Sequence, residues 1–313
     1  MNKERGPRAY YSLLLLLAAF IWGMAFVSQS KGMDYMGPLT FNGVRSLIGA
    51  GVLALYLLAA GRLRRENRAR SDWKKTLFAG VCCGFALTAA STLQQFGILY
   101  TTVGKAGFIT TLYIVFVPLG GVFLRKKIQK IFWLAAVLAA AGMYLLCMTE
   151  SFVPGMGDIY VFLCAVAFTV HILLVDHFSP ETDNVMVSCI QFGVCGVICT
   201  AGALFWEQPT FAQLWEGAGA LAYAGVMSCG VAYTLQIVGQ RSVNPTAAAL
   251  ILSLESVFAA VSGWIAYEIG FLKTDQTMNG RQMIGCALVF AAVILVQLPL
   301  ERFSSGRRKR PDS

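Results

Sequence analysis

Ten apolar stretches, separated by short polar loops, occupy most of this chain and restrict its fold more than any other feature. They lie near residues 11–29, 40–60, 77–97, 104–124, 132–148, 157–177, 185–205, 215–238, 245–267 and 281–299. About 20 apolar residues are enough for a helix to cross a bilayer. Only 13% of the 313 residues are charged, about half the usual fraction in soluble proteins. The sequence therefore predicts an all-α membrane protein with ten transmembrane helices, and it excludes a soluble enzyme.

The lysine and arginine residues are unevenly distributed over the loops. With the N-terminus inside, 20 of the 25 fall on the inner side, mainly at 62–75 and in the basic tail at 302–310. Four fall outside, and Arg45 lies within the second apolar stretch. Loops rich in Lys and Arg stay in the cytoplasm. We therefore expect a multi-pass protein of the plasma membrane, the inner membrane of a bacterium, with both termini cytoplasmic.

The second half of the chain repeats the first. Shifting residues 93–126 by 142 positions places them on 235–268, where nine of 34 residues are identical, including Gln94 on Gln236 and Gly97 on Gly239. A shift of 146 aligns the first two stretches with the sixth and seventh more weakly. Because five is odd, the second copy enters the membrane from the opposite side. Such inverted repeats are typical of secondary transporters with a central site that opens to each face in turn.

Several segments have a pattern that resembles a known family: AAFIWGMAF, GPLTFNGVRSLIGAG, LQQFGILYTTVGKAGFITTLYIVFVPLGG, LQIVGQRSVNPTAAALILSLESVFAAVSGWIAYEIG and RQMIGCALVFAAVILV. With them the chain resembles the drug/metabolite transporter superfamily, specifically its EamA-type members with two five-helix repeats. The resemblance implies a first repeat at 1–150 and a second at 151–313 that includes the basic cytoplasmic tail. It also implies a transporter of small organic metabolites, amino-acid-like solutes or drugs, working in export by alternating access.

Two ionisable residues within apolar stretches are candidates for the substrate site, because a charge in hydrocarbon is costly. Glu255 lies about ten residues into the ninth stretch, roughly 15 Å deep. It is either a proton carrier or cation site, or a neutral hydrogen-bonded carboxyl. Arg45 either binds a substrate carboxylate or extends its side chain to the outer headgroups.

Other polar and aromatic residues are weaker candidates. The eighth stretch carries a polar stripe that favours a wet cavity lining, formed by Cys229, Tyr233, Gln236 and Gln240. Gln95 belongs to a similar stripe in the third stretch, which could line a cavity or join helices. His171 is better explained as a hydrogen-bonded packing residue than as a proton relay. Trp22 and Tyr113 could stack a substrate, although aromatic residues in a bundle more often form core.

No phosphate-binding loop, zinc-protease or hydrolase motif occurs in the sequence, and the nine cysteines all lie within apolar stretches. We therefore expect no cofactor and no metal site. The net charge of +9 comes from short clusters between apolar stretches, so no nucleic-acid partner is predicted. The expected partners are a small-molecule substrate and the lipid bilayer. Proton or cation coupling and a homodimer stay open. The alternatives are a sensor or a membrane-embedded enzyme, for which Asp176 and His177 are the nearest polar group.

Overall fold

The computed structural model describes residues 8–59, 72–101, 103–123, 130–147, 155–272, 277 and 279–297. All regular structure in these residues is helical. The first half contains α1 (Arg8–Gly32), α2 (Pro38–Ala59), α3 (Trp73–Ile98), α4 (Val103–Thr110 and Tyr113–Phe123) and α5 (Lys130–Cys147). The second half contains α6 (Met156–Phe178), α7 (Asn184–Trp206), α8 (Ala218–Gln240), α9 (Pro245–Leu252 and Leu254–Glu268) and α10 (Gly280–Gln297). A short helix, Phe211–Glu216, precedes α8.

Seven of these helices, α1–α3 and α6–α9, are long and apolar enough to cross a membrane. The other three contain shorter apolar segments, at Ala106–Val122, Lys130–Gly142 and Gly280–Ala292. The prediction of an all-helical membrane protein is thus confirmed.

Contacts between the two halves follow a two-fold pattern. Helix α2 packs on its mate α7, and α5 packs on its mate α10. The other contacts occur in equivalent pairs: α3 packs on α6 as α8 packs on α1, and α1 packs on α9 as α6 packs on α4. Exchanging α1–α5 for α6–α10 therefore reproduces the same set of contacts. The two repeats form one interlocked bundle rather than two separate domains.

Two glycines show this symmetry at atomic detail. A Cβ added to Gly97 of α3 would meet Val161 and the carbonyl oxygen of Gly157 on α6, and a Cβ on Gly239 of α8 would meet Leu15 and the backbone of α1. Gly97 and Gly239 are related by the 142-residue shift, and Leu15 and Val161 by the 146-residue shift. Residues that are aligned between the two copies in sequence therefore occupy equivalent positions in the structure. The small glycine residues allow the helices to approach closely.

One carboxylate joins the repeats at the start of α2. Glu207, just after α7, accepts hydrogen bonds from the backbone N–H groups of Leu39 and Thr40, at 2.8 and 2.7 Å, and from the Thr40 hydroxyl at 2.6 Å. The first N–H groups of a helix have no partner within the helix, and a negative charge there is favourable. Glu207 thus caps a helix of the other repeat.

Several sequence predictions concern residues outside the described ranges. Most of the basic residues that predict the orientation lie at 1–7, 60–71, 124–129 and 298–313, and the boundary near residue 150 lies within 148–154. The orientation and this boundary stay predictions.

Candidate functional site

A small cavity lies within the bundle, between α1, α2, α3, α4, α6, α8 and α9. Its volume of about 30 Å³ is room for about two water molecules. In this structure the cavity has no room for an organic solute. Ten of the 14 lining side chains are repeat mates: Trp22 with Phe168, Phe26 with Ile172, Gln94 with Gln236, Thr110 with Leu252, and Tyr113 with Glu255. The pseudo-two-fold axis therefore passes through the cavity.

Tyr113 and Glu255 meet directly across this axis. The Tyr113 hydroxyl donates a hydrogen bond to Glu255 Oε1 at 3.0 Å, and both side chains are buried. Glu255 lies in the first turn of the segment Leu254–Glu268, where the helix dipole favours a negative charge. A buried carboxyl with one hydroxyl partner at this position can hold a proton or face a cation.

Helices α4 and α9 are interrupted at equivalent positions beside this pair. The break in α4 falls at Thr111 and Leu112, and the break in α9 falls at Ser253, which is Thr111 shifted by 142. The Thr111 hydroxyl donates to the Phe108 carbonyl at 2.9 Å, and the Ser253 hydroxyl donates to the Leu250 carbonyl at 2.8 Å. Local hydroxyl–backbone bonds compete with regular helix hydrogen bonds. Discontinuous helices commonly form the substrate sites of transporters.

Arg45 brings a positive charge to the cavity wall. Only 5% of its surface is exposed, and its Nε and Nη2 donate to Asn42 Oδ1 at 3.1 and 2.9 Å. The guanidinium also lies over the Phe41 ring, 5.6 Å from its centroid. The side chain is thus buried within the bundle and lines the cavity.

The part of α8 that forms the cavity wall is distorted. Residues Tyr223–Ala232 form a π-helix, a rare geometry that occurs frequently at functional sites. Ser228 belongs to this segment, and Tyr233 and Gln236 follow it. The Tyr233 ring packs edge-on against Trp22, with centroids 4.6 Å apart. Aromatic faces and polar groups therefore share one wall.

Three buried polar atoms from cavity-lining residues have no hydrogen-bond partner within the described part of the chain: Trp22 Nε1, Gln29 Oε1 and Gln236 Oε1. Burying such atoms without a partner costs roughly 1–3 kcal/mol each. A polar solute or water would supply the missing partners. Among the described residues, no group of three or more His, Cys, Asp or Glu side chains is arranged to hold a metal ion.

Comparison with known proteins agrees with this architecture. The sequence profile of the EamA-like transporter family matches residues 9–148 and again residues 155–298, so each five-helix repeat corresponds to one copy. The chain belongs to the EamA-like transporter family.

Relatives of this EamA-family chain include proteins named as transporters. An uncharacterized transporter of Archaeoglobus fulgidus is 29% identical over 300 residues, covering 94% of this chain and 88% of that protein. The uncharacterized transporter YwfM of Bacillus subtilis is 27% identical over 289 residues, or 90% and 94% of the two chains. A chloroplastic WAT1-related protein of Arabidopsis thaliana is 22% identical over 302 residues, or 91% and 69%. A solved crystal structure has the same fold, with a TM-score of 0.73 at 18% identity over 95% of this chain and 99% of that one.

The structure brings most candidate residues of this EamA-family chain together. The cavity wall contains Glu255, Gln236, Tyr233, Tyr113, Arg45 and Trp22. Three other candidates lie outside the wall. Gln95 donates to the carbonyl of Gln29 at 3.5 Å, His171 shares a 3.0 Å hydrogen bond with Gln191, and Gln240 is buried further along α8. None of these three side chains lines the cavity.

Sequence reasoning missed Gln29, Gln94, Phe168 and Ser228 as cavity residues. The repeat alignment carried the signal for two of them, because Phe168 is the mate of Trp22 and Gln94 the mate of Gln236. A candidate in one copy identifies its repeat mate as a site residue only if the two mates line the same cavity. Neither Gln29 nor Ser228 has a cavity-lining mate, and no comparable signal marked them.

The unpartnered Gln236 makes a specific prediction. We expect Gln236→Leu to change the apparent affinity for a transported solute about three- to tenfold, the usual range for one neutral hydrogen bond. Folding should be retained, because Gln236 Oε1 has no partner to lose among the described residues. Transport by proteoliposomes measures the affinity, and the protein yield in membranes measures folding.

Gln240→Leu is the matched comparison, because it makes the same change one turn further along α8 and off the cavity wall. It should have the smaller effect on affinity. Equal affinities for the parent and Gln236→Leu at equal yield would show that Gln236 only packs.

Proposed function

We propose that this protein is a secondary transporter that moves small organic metabolites, amino-acid-like solutes or drugs, across the plasma membrane. In this proposal all ten helices span the bilayer, the two repeats have inverted topology, and both termini are cytoplasmic. Export is the direction that the family resemblance implies. The site is the cavity around Tyr113 and Glu255, and transport occurs by alternating access.

One observation supports this proposal most strongly: repeat mates from both halves converge on one small cavity beside equivalent breaks in α4 and α9. A two-fold arrangement of this kind has two related conformations, in which the repeats exchange their roles. In one the cavity opens to the outside, and in the other it opens to the inside. In this proposal, the small cavity of about 30 Å³ belongs to a state between them.

Counterflow in proteoliposomes tests the function. Purified protein is reconstituted with an unlabelled solute inside, and entry of the same labelled solute is followed for a panel of amino acids, nucleobases and cationic drugs. The proposal expects at least one solute to exchange faster than in protein-free liposomes. If no solute of the panel exchanges, although the protein is folded and inserted, the transport proposal for these classes is wrong.

The proposed orientation makes a separate prediction. A cysteine at Asp34, in the exposed turn after α1, should react with a membrane-impermeant maleimide in intact cells. A cysteine at Arg241, in the exposed turn after α8, should react only after the cells are permeabilised. The parent protein gives the background from its own cysteines. External labelling at position 241, or of the loop at 62–75, would show that the topology is the reverse of the proposed one.

A further inference from the structure

A second cavity, which we call the lateral groove, lies between α1, α8 and α9 and shares no lining residue with the central one. Its volume is about 500 Å³, within the usual range for ligand pockets of about 300–1,000 Å³. Its walls include Phe20 and Met24 of α1, Gly219 of α8, and Ile265 and Ile269 of α9. All five residues are exposed, and the three helices are long and apolar enough to cross a membrane. The lateral groove therefore opens sideways, towards the lipid.

The lining of the lateral groove leaves little for a polar ligand to bind. Among the described residues, it contains three polar side chains and no charged one. Each of the three donates its hydroxyl hydrogen to a backbone carbonyl of a neighbouring helix: Ser28 to α8 at 2.8 Å, Tyr223 to α1 at 3.2 Å, and Ser262 to α1 at 3.3 Å. A polar group that enters such a surface loses its bonds to water without replacement. The lateral groove therefore favours an apolar occupant.

The lateral groove is about as long as one leaflet of a bilayer. Along α9 it extends from Phe258 to Ile269, roughly 16 Å at 1.5 Å per residue. Half of the hydrocarbon thickness of a bilayer is about 15 Å. Along α1 it extends from Phe20, near the middle of the span Ala9–Gly32, to Ser28 near its end. It thus runs from the middle of the membrane to one surface, as a lipid acyl chain does.

An ion pair lies at the surface end of the lateral groove. Lys31 Nζ contacts Asp34 Oδ2 at 2.9 Å, and it lies 5.7 Å from the centroid of the Phe271 ring, which belongs to the groove wall. The Lys31 side chain is 18% exposed and the Asp34 side chain 50% exposed. A lysine ammonium group has three donors, and a carboxylate has about four acceptor sites. Both residues can therefore bind a headgroup while they stay paired with each other.

We propose that the lateral groove binds a phospholipid with a phosphoethanolamine headgroup. One acyl chain lies in the groove, the phosphate binds Lys31, and the headgroup ammonium binds Asp34. Both contacts are charge-assisted hydrogen bonds. A phosphoglycerol headgroup has no positive charge for Asp34, and the phosphocholine cation has no N–H group to donate, so both bind less tightly. The site does not depend on what the central cavity binds or on whether it transports.

Native mass spectrometry of the purified full-length protein in detergent tests the proposal without any variant. The delipidated protein is titrated with phosphatidylethanolamine, phosphatidylglycerol and phosphatidylcholine that have the same acyl chains. We expect one phosphatidylethanolamine to be retained per protein molecule. It should bind about two- to fivefold more tightly than the other two lipids, the usual range for a partly exposed ion pair.

Gly219→Phe tests whether the acyl chain occupies the lateral groove. A Cβ on Gly219 has no neighbour within 4 Å, so the ring enters the groove without displacing a helix. Binding of phosphatidylethanolamine should weaken about tenfold or more, because the ring takes the place of several methylene groups and removes their packing contacts. Gly51→Phe is the matched control, since Gly51 on α2 is equally open and lies outside the groove. Gly219→Leu serves if Gly219→Phe does not fold.

Two further variants assign the headgroup contacts. Lys31→Gln should weaken all three phospholipids about two- to fivefold, because each of them has a phosphate. Asp34→Asn should weaken phosphatidylethanolamine alone and thereby remove its advantage over phosphatidylglycerol. Lys75→Gln breaks another exposed ion pair, with Glu181 at 2.8 Å, and should leave all affinities as in the parent.

The masses distinguish the lipid from other occupants of the lateral groove. No retained phospholipid, or equal retention in the parent and the Gly219 variants, overturns the proposal. Equal affinities of the parent for the three lipids overturn the headgroup assignment. A dimer of the parent that Gly219→Phe dissociates, with no lipid bound to either form, would show that the groove is covered by a second copy of this chain and overturn the lipid site.

Discussion

A Glu255→Gln protein in liposomes is expected to lose substrate accumulation driven by a pH gradient while it still exchanges substrate down a concentration gradient. Glutamine has nearly the same volume and can still accept the hydrogen bond from Tyr113, but it cannot take up or release a proton. A proton and a substrate cation would compete for the Glu255 carboxylate, so each could be carried in the opposite direction to the other. Without the carboxylate this exchange has no site, and gradient-driven accumulation falls to the level of protein-free liposomes.

The measurement compares uptake with an imposed pH gradient to counterflow without one, at matched amounts of protein. Glu268→Gln is the control, because Glu268 lies on the same helix, where its carboxylate accepts from Trp264 Nε1 at an exposed position, 3.1 Å away. It should behave like the parent in both assays. If Glu255→Gln accumulates substrate as the parent does, Glu255 is a packing residue and the coupling role is wrong.

The helical membrane fold and the repeat relation could be predicted from the sequence, because both depend only on the order of residue types along the chain. Apolar stretches give spans, and Gln94 on Gln236 gives the register of the two copies. The same register predicts that Gly97 and Gly239 occupy equivalent crossings, which they do. Each repeat has five helices, an odd number, so the second copy is inverted relative to the first. With this inversion, the same alignment predicts that Tyr113 meets Glu255.

Local deviations from regular helix could not be predicted in this way. The stripe on the eighth stretch assumed 3.6 residues per turn, whereas a π-helix at Tyr223–Ala232 changes which side chains share a face. Cys229 consequently packs against Gly49 of α2, while Tyr233 and Gln236 reach the cavity. In α3 the polar stripe with Gln95 turned towards neighbouring helices, and Gln94 beside it reached the cavity. Adjacent polar residues on a helix differ by about 100° in direction, and only the packing of α3 against its neighbours decides between them.

The second large effect is expected from Gly23→Ala. A Cβ on Gly23 of α1 would meet the Phe258 side chain and lie 2.9 Å from both the Ala259 amide nitrogen and the Glu255 carbonyl oxygen on α9. Two of these three atoms belong to the backbone and cannot move by a change of side-chain rotamer, so α1 and α9 must separate. Added atoms in a packed interior typically cost about 1–3 kcal/mol, more than alanine gains over glycine in a helix, about 1 kcal/mol.

Gly51→Ala is the matched control, since a Cβ on Gly51 of α2 has no neighbour within 4 Å and only the helix-propensity gain should appear. Thermal unfolding in detergent should show a lower Tm for Gly23→Ala and an equal or higher Tm for Gly51→Ala. The displaced backbone carries Glu255, so Gly23→Ala should also weaken transport in the fraction that folds, whereas Gly51→Ala should not. Equal Tm values for the two variants would mean that α1 and α9 do not approach this closely at the cavity, and the tight contact between the repeats beside Glu255 would be wrong.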